Sequence, residues 1–178
     1  MKYVALLRGI NVGTAKSVPM AELAAVFREL GFTGVTTLLR SGNVVFEADV
    51  ALPADTASVI EAAVHSATGV RSSVLVFDRD SFLAIAEANP LTSVATDGSK
   101  LFVTFLSAPA ARSPVTLEEP DAAALAPEIL RLGDGAIYQW FPEGSLQTKV
   151  PKSFWKQFTE PVTARNWNTV GKLVALLD

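Results

Sequence analysis

The residues best suited to chemistry in this chain are arginines, a lysine and side-chain amides placed beside glycines at the ends of apolar runs. Arg8 closes the first such run, and the loop after it carries Gly9, Asn11, Gly13, Lys16 and Ser17 before a helical pattern begins. Free backbone amides in such a loop, the positive end of the following helix and two cations together favour a phosphate or a carboxylate. A Walker loop does not fit. Three residues rather than four separate Gly9 from Gly13, and Lys16 does not directly follow the second glycine. The plainer account of the same residues is that Gly9 and Gly13 permit a turn while Asn11 bonds its own backbone.

Two further stretches offer polar groups. Arg40 and Asn43 flank Ser41-Gly42, a short turn between β-rich runs, and could face the same crevice as Arg8 or Asn11. Arg165 and Asn166 precede the last helix, where a guanidinium beside amides suits bidentate capture of an anion, or the pinning together of two halves of a protein. In that stretch Asn168 is expected to cap the helix and Trp167 to lie beneath it. The candidate ligand-binding set is therefore Arg8, Asn11, Lys16, Asn43, Arg165 and Asn166, gathered around a small anion between two modules.

Other chemistries are poorly supplied. The chain has no cysteine, so disulfides, thiolate nucleophiles and sulfur-bound metals are excluded. His65 is the single histidine, which rules out a histidine metal cage, and no nucleophile elbow accompanies it. No metal or cofactor is expected. Whether the chain is an enzyme stays open; catalysis here would rest on cations and positioned amides.

The elements that must carry these residues follow from periodicity. Lys2 to Arg8 reads as a buried first strand, and Met20, Leu23, Ala24, Phe27 and Leu30 recur at helical spacing between Pro19 and Gly31. Val35 to Arg40 and Asn43 to Glu47 read as a hairpin. A helix opening near Pro53 and Asp55 and ending near Gly69 leads to a strand at Ser73 to Phe77. Strand, helix, strand, strand, helix, strand is the split-βαβ, ferredoxin-like order.

The second half repeats that order loosely. It offers a strand at Leu101 to Leu106, a Pro-rich passage through Pro109, Pro114 and Pro120, and a short helix near Ala122. A hairpin follows across Gly133-Asp134-Gly135, then a helical piece at Ser153 to Phe158, a strand at Val162 to Ala164 and a helix at Thr169 to Leu177. The expected fold is α+β: two split-βαβ modules, suggestive of a structural duplication, plus a C-terminal helix. Its parts are residues 1–78, a connecting helix and linker at 79–99, and a second module at 100–178.

Composition bounds the partners. With 178 residues, 49% of them hydrophobic and 19% charged, the chain can bury a substantial core. The net charge of −3 and the absence of a Lys/Arg-dense stretch argue against a long nucleic acid as ligand. The N-terminal apolar run is too short for a signal peptide or a bilayer span, so no membrane association and a cytoplasmic location are expected. Oligomeric state is not legible.

Three motifs carry a family resemblance: LLRGINVG at Leu6 to Gly13, SGNVVF at Ser41 to Phe46, and ARNWNTVGKL at Ala164 to Leu173. With Met20-Ala21-Glu22-Leu23, Asn89-Pro90 and Phe105-Leu106-Ser107, they resemble the bacterial family called domain of unknown function 1697. The resemblance implies a two-part α+β protein of bacterial origin and no assigned activity. One departure stands out: Gln147-Thr148-Lys149-Val150 occupies a stretch that in the family usually reads Arg-Ser-Lys-Leu, so an anion role for that loop loses a cation. Two alternatives to anion binding remain. One is an assembly module docking through exposed aromatics such as those of Tyr138 to Phe141. The other is a single-stranded RNA binder stacking bases on Tyr3 and Phe46.

Overall fold

A computed structural model describes residues 1–13, 17–107 and 117–178 of the chain. Lys16, Pro109 and Pro114, which the sequence reading singled out, lie outside the described residues. The chain divides into two compact units, one formed by residues 1–83 with 173–178 and the other by residues 84–172.

In the first unit, strand β1 (Lys2–Arg8) is followed by helix α1 (Met20–Glu29), strands β2 (Thr33–Leu38) and β3 (Asn43–Glu47), helix α2 (Thr56–Thr68) and strand β4 (Ser73–Asp78). The sheet order is β2-β3-β1-β4, and every neighbouring pair is antiparallel. This is the split-βαβ arrangement, in which β3 is inserted between two strands joined by a crossover helix. Tyr3, Ala5 and Leu7 point to the helix-bearing face with Val44, Phe46, Phe27, Ile60 and Val64. Val4 and Leu6 on the opposite face are equally buried, which explains why β1 reads as an unbroken apolar run rather than an alternating one.

Helix α3 (Arg79–Glu87) follows β4, and Asp78 stands directly before it. The Asp78 carboxylate accepts from the Ser81 amide at 2.8 Å and the Ser81 hydroxyl at 2.9 Å, satisfying donors that a helix start leaves open.

The second unit contains β5 (Leu101–Leu106), the short helix α4 (Ala122–Leu125), the hairpin β6 (Ile129–Leu132) and β7 (Ala136–Trp140), the short helix α5 (Lys152–Trp155), and β8 (Val162–Asn166). Its sheet order, β6-β7-β5-β8, reproduces that of the first unit strand for strand. Leu106, Leu125, Leu130, Ile137, Val150 and Phe154 form a core on one face. On the other, Tyr138 donates to the Ile85 carbonyl at 2.7 Å, and burial, reinforced by the Asp134 charge, raises the pKa of its hydroxyl.

The aromatics offered by the sequence for partner docking or base stacking are interior. Tyr138, Trp140 and Phe141 are buried. Tyr3 and Phe46 are buried as well and stack on each other, with ring centroids 5.6 Å apart.

Helix α6 (Trp167–Leu177) closes the chain. It begins two residues before the expected start, and the expected cap is corrected: Asn166, not Asn168, precedes it. The Asn166 side-chain oxygen accepts from the Thr169 amide at 3.0 Å and the Thr169 hydroxyl at 2.9 Å. Asn168 is exposed. At the other end, Lys2 donates to the Leu177 carbonyl at 3.2 Å and Arg79 to the same carbonyl at 3.1 Å, so two cations meet the negative end of the helix dipole.

Two stability outcomes follow. Asn166→Ala should cost about 1 kcal/mol in urea unfolding, while Asn168→Ala should stay within about 0.5 kcal/mol; equal effects would dismiss the cap. Gly42→Ala should cost about 2–3 kcal/mol, because Gly42 has φ of +81° and an added Cβ would lie 2.7 Å from Ile10 Cδ1 and 2.8 Å from Leu7 Cβ. A midpoint unchanged from wild type would show that the turn yields.

Candidate functional site

At the end of the first sheet where β1 finishes, two loops meet. Leaving β1, the chain takes left-handed conformations at Gly9, Asn11 and Gly13, with φ of +75°, +55° and +64°. Between them Ile10 is buried and tucks under Gly42 of the β2–β3 turn. This turn has its own left-handed residue, Leu39, with φ of +58°, a conformation that a large non-glycine side chain seldom holds. The Leu7 amide donates to the Gly42 carbonyl at 2.8 Å, joining the two loops through the backbone.

Asn11 locks this corner. Its side-chain nitrogen donates to the Val18 carbonyl at 3.0 Å and the Arg40 carbonyl at 2.8 Å. Its oxygen accepts from the Ser17 hydroxyl at 3.0 Å and the Val18 amide at 2.7 Å. An asparagine amide has two donor hydrogens and an acceptor oxygen, so these four bonds occupy both functions. Asn43 plays a similar part in the turn. It is fully buried and donates to the Leu38 carbonyl at 2.8 Å and the Ser41 hydroxyl at 3.0 Å.

What the corner presents to solvent is cationic. Arg8 and Arg40 are exposed. Arg40 Nη2 lies 3.3 Å from the Ser17 hydroxyl, and the Arg8 carbonyl accepts from the Ser72 hydroxyl at 2.8 Å. Helix α1 begins just beyond Ser17; its N-cap is Pro19, which has no side-chain acceptor for the first-turn amides.

Arg165 and Asn166 belong to the second unit. Asn166 serves as the helix cap. Arg165 is only 8% exposed and donates to the Thr163 hydroxyl and the Ala164 carbonyl, each at 2.9 Å. Burial pulls its pKa down to about 10, which leaves it charged at neutral pH. The loop containing Lys149 is also internally engaged. Glu128, 8% exposed, accepts from the Lys149 amide at 2.6 Å and the Thr148 hydroxyl at 2.9 Å, while Lys149 Nζ reaches the Ala126 carbonyl. Beside it, a cleft of about 220 Å³ is lined by Glu119, Leu125, Pro127, Glu128 and Arg131 among others.

Of the six candidates, the structure brings Arg8, Asn11 and Asn43 to one sheet end and adds Ser17 and Arg40. Arg40, outside the six, was legible as a flank of the Ser41-Gly42 turn able to face the same crevice as Arg8 or Asn11. Ser17 read as one polar residue in a loop. Among the described residues, no group of three or more His, Asp or Glu is placed to hold a metal ion, and no helix is long and apolar enough to cross a membrane.

Comparison with known proteins agrees with this architecture. No curated protein matches the chain. The conserved bacterial protein SP0830 from Streptococcus pneumoniae has a similar solved structure, with a TM-score of 0.71 and 25% sequence identity over 99% of this chain and 98% of that one. The family model described as "Protein of unknown function (DUF1697)" matches residues 1–138, a span that includes the whole first sheet and both loops of the cationic corner. The chain belongs to the DUF1697 family.

Proposed function

We propose that the first unit binds a small anion, a phosphate or carboxylate group, at the corner made by the loop after β1 and the β2–β3 turn. The observation that carries this reading is the Arg40–Ser17 contact at 3.3 Å, on a loop that Asn11 holds by four hydrogen bonds. A guanidinium held beside a hydroxyl presents several donors in a limited geometry, which lowers the ordering cost of binding. Arg8 supplies the second charge. Asn11 and Asn43 hold the corner in shape instead of touching the ligand, since their amide groups already serve the backbone.

A second reading is docking of a protein partner. It is favoured by the exposure of Val12 and Leu39, at 66% and 46%, beside the same cations.

Inorganic phosphate should raise the melting temperature of the wild-type protein, because a ligand that binds only the native state stabilises it by mass action. Calorimetric titration should show Arg40→Ala and Arg8→Ala each weakening phosphate binding by about tenfold, the size of one charge-assisted hydrogen bond. Wild-type protein indifferent to phosphate and to small carboxylates would remove the reading and leave the docking surface.

A further inference from the structure

We infer that the anion bound at this corner carries two linked phosphoryl groups, and that Arg71, outside every motif of the chain, binds the second. This rests on the anion-binding reading above. Antiparallel register sets Arg8 at the end of β1 opposite Ser73 at the start of β4. Arg71 stands two residues before Ser73 and is exposed. The chain enters β4 directly from Arg71, so Arg71 reaches the sheet end at which Arg8 leaves β1. The Ser72 hydroxyl bonded to the Arg8 carbonyl at 2.8 Å anchors this segment against the end of β1.

The same sheet end therefore carries three arginines in spatial order: Arg40 at the β2–β3 turn, Arg8 on β1 and Arg71 ahead of β4. Neighbouring strands lie about 4.8 Å apart, and between two and three such steps separate the β2–β3 turn from β4, which sets the outer two roughly 10–14 Å apart at the backbone. The ion pair among the described residues, Arg79 with Asp80, includes none of the three. The Glu61 carboxylate of α2 accepts from the Val74 amide of β4 at 2.7 Å.

A row of that length is wider than a single phosphate. Two bridged phosphates present acceptor oxygens at both ends and can take the planar forks of the outer arginines with Arg8 between them. Three cations in a chain of net charge −3 do not make a track for a polymer, so the fitting ligand is a small diphosphate, either inorganic pyrophosphate or the diphosphate of a nucleotide.

The test is titration calorimetry of wild-type protein, Arg71→Ala and Arg40→Ala with inorganic phosphate, pyrophosphate and a nucleoside diphosphate. Wild-type protein should bind pyrophosphate at least about tenfold more tightly than phosphate. Arg71→Ala should erase that preference while keeping wild-type phosphate affinity and melting temperature, and Arg71→Lys should restore part of it. Arg40→Ala should weaken both ligands. A nucleoside diphosphate bound more tightly than pyrophosphate supports a nucleotide, and equal binding supports recognition of the diphosphate alone. Phosphate bound as tightly as pyrophosphate, or Arg71→Ala weakening both alike, overturns the inference and leaves single-anion binding standing. Binding of none of the three overturns the inference, and small carboxylates failing as well overturns the anion-binding reading with it.

Discussion

Everything at the candidate site hangs from β1. This strand pairs with β3 on one side and β4 on the other, and its side chains are buried on both faces. A strand enclosed in this way cannot slip by one residue without exposing an entire apolar set and burying its ends. Its register therefore decides which residues emerge where the strand stops. Arg8 is the first to do so, and the turn after β2 and the segment before β4 come to the same end because antiparallel pairing folds them back against it.

The division of labour among polar residues follows from burial. A buried amide costs free energy unless its donors and acceptor are satisfied, so Asn43, wholly enclosed, is bonded to the turn it sits in. Asn11 ties three backbone segments, and this cross-linking lets the left-handed residues of its loop keep one conformation. Arginines tolerate the opposite situation. Their charge is hydrated at the surface, where Arg8 and Arg40 are exposed. The second unit shows the contrast: Arg165 is buried, its pKa lowered by loss of water, and its donors are directed to Thr163 and Ala164.

The two units solve one packing problem with different materials. Both form the same four-strand order, yet the first is covered by helices of 10 and 13 residues while the described α-helices between β5 and β8 have only four residues each. Side chains from short turns, Val150 and Phe154 among them, fill the core in their place. In that setting the Glu128 carboxylate gathers the Thr148 and Lys149 segment onto the sheet. Gln147 thus stands directly before two residues that perform structural work.

Local sequence determined much of this architecture. The apolar run of β1, the helical spacing from Met20 to Leu30 and the Ser41-Gly42 turn are each set by residues within a few positions of one another, so they are legible without a structure. The strand order common to both halves was legible as an order of elements. Tertiary structure decided the rest. It chose Asn166 over Asn168 as the cap, because α6 starts directly where β8 ends, and the last residue of the strand meets the open Thr169 amide. It put Tyr3 and Phe46 inside, since their strands are central. It also brought Arg8, Arg40 and Arg71 to one sheet end, although they are separated by some thirty residues each. No local pattern marks such a set, because strand pairing brings distant residues together through backbone hydrogen bonds that are indifferent to the side chains at the strand ends.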